Sequence, residues 1–185
     1  MGKLTFLLGG ARSGKSSHAQ KLAEQSGKSV TFIATAQALD DEMFARIHKH
    51  QLERPENWKT LEIPFGIASH LNSLATEVII LDCVTLLVSN LMMQFIENDL
   101  VDEQKSLQAV QSEMAPLLAY IHTHEQEWLI ISNEVGLGLV PPYQMGRIYR
   151  DLLGLANQQF AREADEVLWM VAGIPVPIAQ FRNLS

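Results

Sequence analysis

An eight-residue run, Gly9-Gly10-Ala11-Arg12-Ser13-Gly14-Lys15-Ser16, carries the residue types that holding a polyphosphate requires. Several backbone N–H groups must converge on phosphate oxygens with no side chain in the way, and Gly9 and Gly14 flank a loop that can turn its amides inward. Lys15 adds a mobile positive charge for the β- and γ-phosphates. Ser16 begins the following helix and can offer its hydroxyl to Mg²⁺, while the helix N-terminus adds its partial positive charge. A strand-like run precedes the loop and a helix-like segment follows it, the order this motif demands. A glycine-rich turn without a ligand does not explain that order.

In such sites a carboxylate at the tip of a neighbouring strand holds the magnesium, directly or through water. Asp82, which ends Val78-Ile79-Ile80-Leu81, is the candidate. Glu134, after Ile130-Ile131-Ser132-Asn133, is a weaker rival at the same sheet edge, where open α/β folds bind ligands. The plain structural reading of Asp82 is a strand-end aspartate capping the next turn.

A third cluster runs from Arg46 to Trp58 and crowds His48, Lys49, His50 and Arg54 behind the acidic Asp40-Asp41-Glu42. In a helix, His48 and His50 lie about 200° apart and cannot chelate one metal, whereas in a strand an HxH pair could. A neutral imidazole can also attack phosphorus. A solvated basic helix face accounts for the same residues without chemistry. His122 and His124 form a second pair, expected at the surface near a helix C-terminus. The single cysteine, Cys83, sits in an apolar run and reads as a buried structural thiol, so no disulfide framework is available.

These residues need a scaffold, and five short apolar runs supply it: Leu4 to Leu8, Val30 to Ala34, Val78 to Leu81, Trp128 to Ser132, and Val167 to Val171. Lacking polar alternation, they read as strands covered on both faces by helices. Lys15 to Gln25, Glu103 to Glu125 and Met145 to Glu163 are the clearest helices, the second containing Pro116. The expected fold is a single α/β domain of P-loop NTPase type, a mostly parallel sheet flanked by helices, spanning residues 1 to 185. Hydrophobic content of 47% with 19% charged residues is ordinary for a globular chain. A net charge of −7 argues against a nucleic-acid footprint. The longest apolar stretch, Val78 to Met93, is too short and too polar to span a bilayer. Cleaving a leader at the N-terminus would remove the glycine loop itself, so a cytoplasmic location is expected.

Further segments extend the pattern: Ile33-Ala34-Thr35-Ala36-Gln37, Asp40-Asp41-Glu42-Met43, Arg46-Ile47 through His50 to Arg54-Pro55-Glu56-Asn57-Trp58, Leu81-Asp82-Cys83-Val84-Thr85, Ser132 through Pro141, and Ala164-Asp165-Glu166-Val167. Together with the glycine loop they resemble the bifunctional adenosylcobinamide kinase / adenosylcobinamide-phosphate guanylyltransferase family of cobalamin synthesis, over nearly the whole chain. The resemblance implies phosphorylation of adenosylcobinamide by ATP or GTP, then GMP transfer from GTP to that phosphate through a guanylyl-histidine. The histidine four residues after Arg46 is His50. Nucleotide contacts carried by the resemblance fall on Gly9, Gly10, Ala11, Arg12, Ser13, Gly14, Lys15 and Ser16, on Ala34, Thr35 and Ala36, on Gln51, Leu52, Glu53 and Arg54, and on Glu62 and Asp82. Mg²⁺ would sit at Ser16 and Asp82, and the assembly would be a homotrimer with sites between subunits. Asp82 stands where Glu is familiar in the family, and Pro175 and Pro177 stand in a tail that is usually more flexible. A kinase without the second activity is the nearest alternative. A GTPase switch lacks both its Asn-Lys-x-Asp and its Asp-x-x-Gly motifs here.

Overall fold

Runs rich in Val, Ile, Leu and Phe become strands, and the segments between them become helices wherever apolar residues recur every three or four positions. The computed structural model describes residues 2–38, 40–52 and 54–184; the side chains of Glu42, Met43, Arg46, Lys49, His50 and residues 182–184 lie outside that description. In chain order the elements are β1 (Lys3–Gly9), α1 (Lys15–Ser26), β2 (Val30–Ala34), α2 (Asp41–Leu52), β3 (Lys59–Glu62), β4 (Val78–Asp82), α3 (Val84–Met93), the hairpin β5 (Ile96–Glu97) and β6 (Leu100–Val101), α4 (Glu103–Thr123), β7 (Glu127–Asn133), α5 (Gln144–Glu163), β8 (Glu166–Val171) and β9 (Ile174–Pro177). Short 3-10 turns occupy Ile67–Ser73 and Ala179–Leu184.

One sheet has the order β3-β2-β4-β7-β1-β8-β9, parallel throughout except for β9, which runs antiparallel to β8. Its two faces have separate cores. On one, Ala19 and Ala23 of α1 pack on Leu7, Phe32, Ile80 and Ile131. On the other, α3, α4 and α5 bury Leu87, Leu117 and Leu152 against Phe6, Leu81 and Ile130. The fully buried central strands explain the continuous apolar runs, because neither face meets water. Among the described residues no helix is long and apolar enough to cross a membrane.

All five expected strands form, and two more complete the sheet. β3 is mostly exposed and polar, so it carries no burial signal. β9 contains Pro175 and Pro177, which ordinarily argue against a strand. Both are tolerated at the sheet edge: Ile178 N donates to Val167 O at 2.9 Å, so the prolines, one and three residues earlier, place their missing donors on the outer side. α3 was hidden in the long apolar stretch because six of its ten residues are buried, leaving little polar face to reveal a period. α4 stops at Thr123, two residues short of the expected end, and runs unbroken through Pro116.

Two glycines of the loop are there for space and for φ. A Cβ on Gly9 would lie 2.5 Å from the Met170 carbonyl of β8, and Gly14 has φ of +91° at the N-cap of α1. The β8–β9 turn, with Ala172 and Gly173 both at positive φ, leans on the loop: Gly173 N donates to Ser13 O at 3.0 Å.

Candidate active site

Strand alternation decides what reaches the site. On β1, β2, β4 and β7 the side chains facing α1 are those of Leu7, Phe32, Ile80 and Ile131, so two residues further on the same face receives Gly9, Ala34, Asp82 and Asn133 at the carboxyl ends of the strands. Asp82 is not on the strand adjacent to β1, because β7 lies between them. Glu134 follows that adjacent strand, but its carboxylate turns back to accept from Gly136 N, while its own N–H donates to Gly9 O at 3.1 Å.

Two cavities open over this row. One, of about 340 Å³, is formed by Ala11 through Ser17 together with Asp82, Cys83, Ile131 and Asn133. The other, of about 250 Å³, is lined chiefly by Phe32, Ala34, Ala36, Ile47 and Leu86 with Gln20 and Arg54, and shares Ser16, Asp82, Cys83 and Asn133 with the first. A polar, loop-lined compartment thus adjoins a more apolar one.

Lys15 is buried, and its ammonium donates to Gly9 O at 2.9 Å and Gly10 O at 2.7 Å, with Ser13 Oγ at 3.4 Å. Burial pulls its pKa below the ordinary lysine value, with the Asp82 carboxylate opposing the shift. Arg54 is similarly lowered by burial, with Asp82 and Glu62 opposing, and its guanidinium stacks 3.8 Å above the Phe32 ring. Its Nε is buried without a hydrogen-bond partner among the described residues. Asp82 therefore stands between two cations, one in each compartment.

The remaining residues expected at the site divide clearly. Ala34 and Ala36 line the apolar cavity, while Thr35 is buried and its hydroxyl both donates to Cys83 O and accepts from Cys83 N, each at 2.8 Å. Thr35 thereby holds the turn after Asp82, where the Asp82–Cys83 peptide is cis. Gln51 Nε2 donates to Glu62 Oε1 at 2.6 Å, so those two meet outside the cavity lining. Leu52 is 73% exposed, and Gly10, Ala11 and Arg12 are exposed at the tip of the loop. Glu53 and the side chain of His50 lie outside the described residues. α2 is helical through positions 48 and 50, so the pair cannot act as a single chelate, and His48 is exposed beside Phe44. His122 bonds Glu163 at 3.1 Å and His124 stacks on Tyr120, both at the end of α4 away from the site. Phe32, Gln20, Thr85 and Asn133 also line the site, though strand and helix patterns mark them only as core or loop.

Cys83 lines both cavities, and burial, reinforced by the Asp82 carboxylate, pushes its thiol up to about 12. A raised thiol pKa means less thiolate at any pH below it, so alkylation of the native chain at pH 8 is expected to be about 1,000-fold slower than for a free thiol. The rate should climb as pH approaches 12. Iodoacetamide labelling followed by mass spectrometry, native against denatured, checks this; equal rates at pH 8 would show that the thiol is not held in this environment.

Sequence comparison agrees with this arrangement. Residues 5–178 match the family described as "CobU: Cobinamide kinase / cobinamide phosphate guanyltransferase". The bifunctional adenosylcobalamin biosynthesis protein CobU of Escherichia coli K12 is 41% identical over 184 residues, covering 95% of this chain and 99% of that one. CobP of Pseudomonas aeruginosa, under the same bifunctional description, is 40% identical over 175 residues, covering 94% and 95%. CobU of Salmonella typhimurium LT2 is 39% identical over 184 residues, covering 95% and 99%. With a glycine loop, a carboxylate row and a two-compartment cavity matched over nearly its whole length, the chain belongs to the cobinamide kinase / cobinamide phosphate guanyltransferase family.

Proposed function

We propose that this site performs two successive transfers at phosphorus in the synthesis of adenosylcobalamin. In the first, the hydroxyl of the aminopropanol arm of adenosylcobinamide attacks the γ-phosphorus of ATP or GTP and the nucleoside diphosphate leaves. In the second, a neutral His50 imidazole attacks the α-phosphorus of GTP. The bond to the bridging oxygen breaks, pyrophosphate leaves, and a phosphoramidate remains. A phosphate oxygen of the adenosylcobinamide phosphate then attacks that phosphorus, breaking the P–N bond and releasing adenosylcobinamide-GDP.

The observation that carries this reading is the pair of adjoining cavities. A triphosphate laid along Gly9 to Ser16 has an apolar compartment beside it, walled by Ile47 of the same helix that bears His50. Arg54 and Lys15 offset charge at the two ends. Ser16 and Asp82 offer one hydroxyl and one carboxylate to both cavities, an all-oxygen set suited to Mg²⁺ shared with phosphates. Bound there, the ion would screen charge on the departing phosphates. A trimeric assembly and a cytoplasmic setting belong to the same reading and rest on the family resemblance.

Incubation with α-labelled GTP tests it directly. The expected result is a protein adduct that is stable to alkali and labile to acid. No adduct on the wild-type chain, with γ-transfer to cobinamide retained, would reduce the function to a kinase.

A further inference from the structure

The strand between the loop strand and the Asp82 strand ends in a residue to which the two-step reading gives no role. Asn133 pairs with Gly9 across β1 and β7, and the strand β7 also borders β4, where Asp82 sits opposite Ile131. Because Asn133 shares a strand face with Ile131, its side chain emerges on the α1 side, between the loop and Asp82, and it lines both cavities.

Its backbone is held on both sides by side chains. Asn133 N donates to Thr85 Oγ1 at 2.8 Å, and Asn157 Nδ2 donates to Asn133 O at 3.0 Å. Asn157 and Thr85 are themselves buried; Asn157 also accepts from Ser132 Oγ at 2.6 Å, and Tyr149 Oη donates to Thr85 O at 3.2 Å. Four polar side chains thus hold this one strand tip. The carboxamide they present has no hydrogen-bond partner of its own among the described residues. A donor fixed in place and left unengaged beside a phosphate loop is arranged in advance for charge that arrives with the ligand.

We infer that Asn133 is a further catalytic residue: its Nδ2 donates to an oxygen of the terminal phosphoryl group and strengthens that bond as the group is transferred. The inference rests on the two-step reading above. In the kinase step, charge shifts over the oxygens around the γ-phosphorus, so a neutral, rigid donor there acts mainly on the transition state. In the histidine step the bond that breaks is at the α-phosphorus, away from Asn133. The two steps should therefore respond differently.

The test compares wild type, Asn133→Ala, Asn133→Asp and Asn157→Ala in the full chain. The measurements are kinase kcat and KM, the rate of adduct formation from α-labelled GTP, the Kd of a non-hydrolysable GTP analogue, and Tm. Asn133→Ala should lower kinase kcat about 100-fold, the usual loss for one transition-state donor, and slow adduct formation less than about tenfold. Analogue Kd should stay within about threefold and Tm should not change, because both backbone bonds remain. Asn133→Asp should be worse still, since its carboxylate repels phosphate. Asn157→Ala should lower Tm. Kinase kcat within about threefold of wild type for Asn133→Ala, or equal losses in both steps that track Tm, overturns the assignment. A wild type that binds the analogue but transfers nothing to cobinamide refutes the two-step reading instead, and the inference falls with it.

Discussion

His50→Ala is expected to leave less than about 1% of the guanylylated protein, while His48→Ala keeps most of it, when both are labelled with α-labelled GTP beside the wild type. The helical register of α2 separates the two positions. Ile47 lines the apolar cavity, and on a helix with about 100° per residue, position 50 returns to within about 60° of Ile47 whereas position 48 is turned away by about 100°. The exposed His48 ring lies 6.4 Å from that of Phe44, an exposed residue outside the cavity lining. Kinase turnover in His50→Ala should stay within about threefold of wild type, because no bond to the imidazole forms in that step. An adduct that survives His50→Ala and disappears in His48→Ala would reverse the assignment.

Lys15→Ala is expected to cost about 1,000-fold in both steps, at the upper end of the loss for one electrostatic donor because this donor carries a full charge. Without ligand the ammonium is held by the carbonyls of Gly9 and Gly10. Those contacts lie at the mouth of the loop, so an arriving phosphate finds the charge already desolvated and needs only to draw it forward. The same anchor must hold the triphosphate whether the γ- or the α-phosphorus reacts. Single-turnover rates for γ-transfer and for adduct formation decide the matter: loss of one step alone would mean that the loop does not serve both.

Much of this site can be read from residue order alone, because the loop is local. Gly9 to Ser16 need only a strand before and a helix after, and both are signalled within 26 residues. Asp82 is legible for the same reason, as the polar end of an apolar strand. Which strands lie side by side is not. The interposition of β7 between β1 and β4 depends on pairing of segments more than 40 residues apart, and with it the importance of Asn133. Phe32 reads as plain core from its strand pattern, and only the approach of Arg54, 22 residues later, gives its ring a second use. Thr35 was expected to touch nucleotide, and its hydroxyl instead holds the turn at Cys83, a partner 48 residues away.

The contact between the β8–β9 turn and the glycine loop has a consequence for how the protein is made. The loop is among the first parts of the chain to be synthesised, while Gly173, whose N–H holds Ser13 O, is among the last. β1 likewise waits for both of its neighbours, β7 and β8, before it is a central strand. Chains emerge from the ribosome N-terminus first, so a nascent chain that has passed the motif still lacks the brace that sets it. The nucleotide grip is therefore translated first and completed last, and a stalled or truncated chain displays the motif without the ability to hold its ligand.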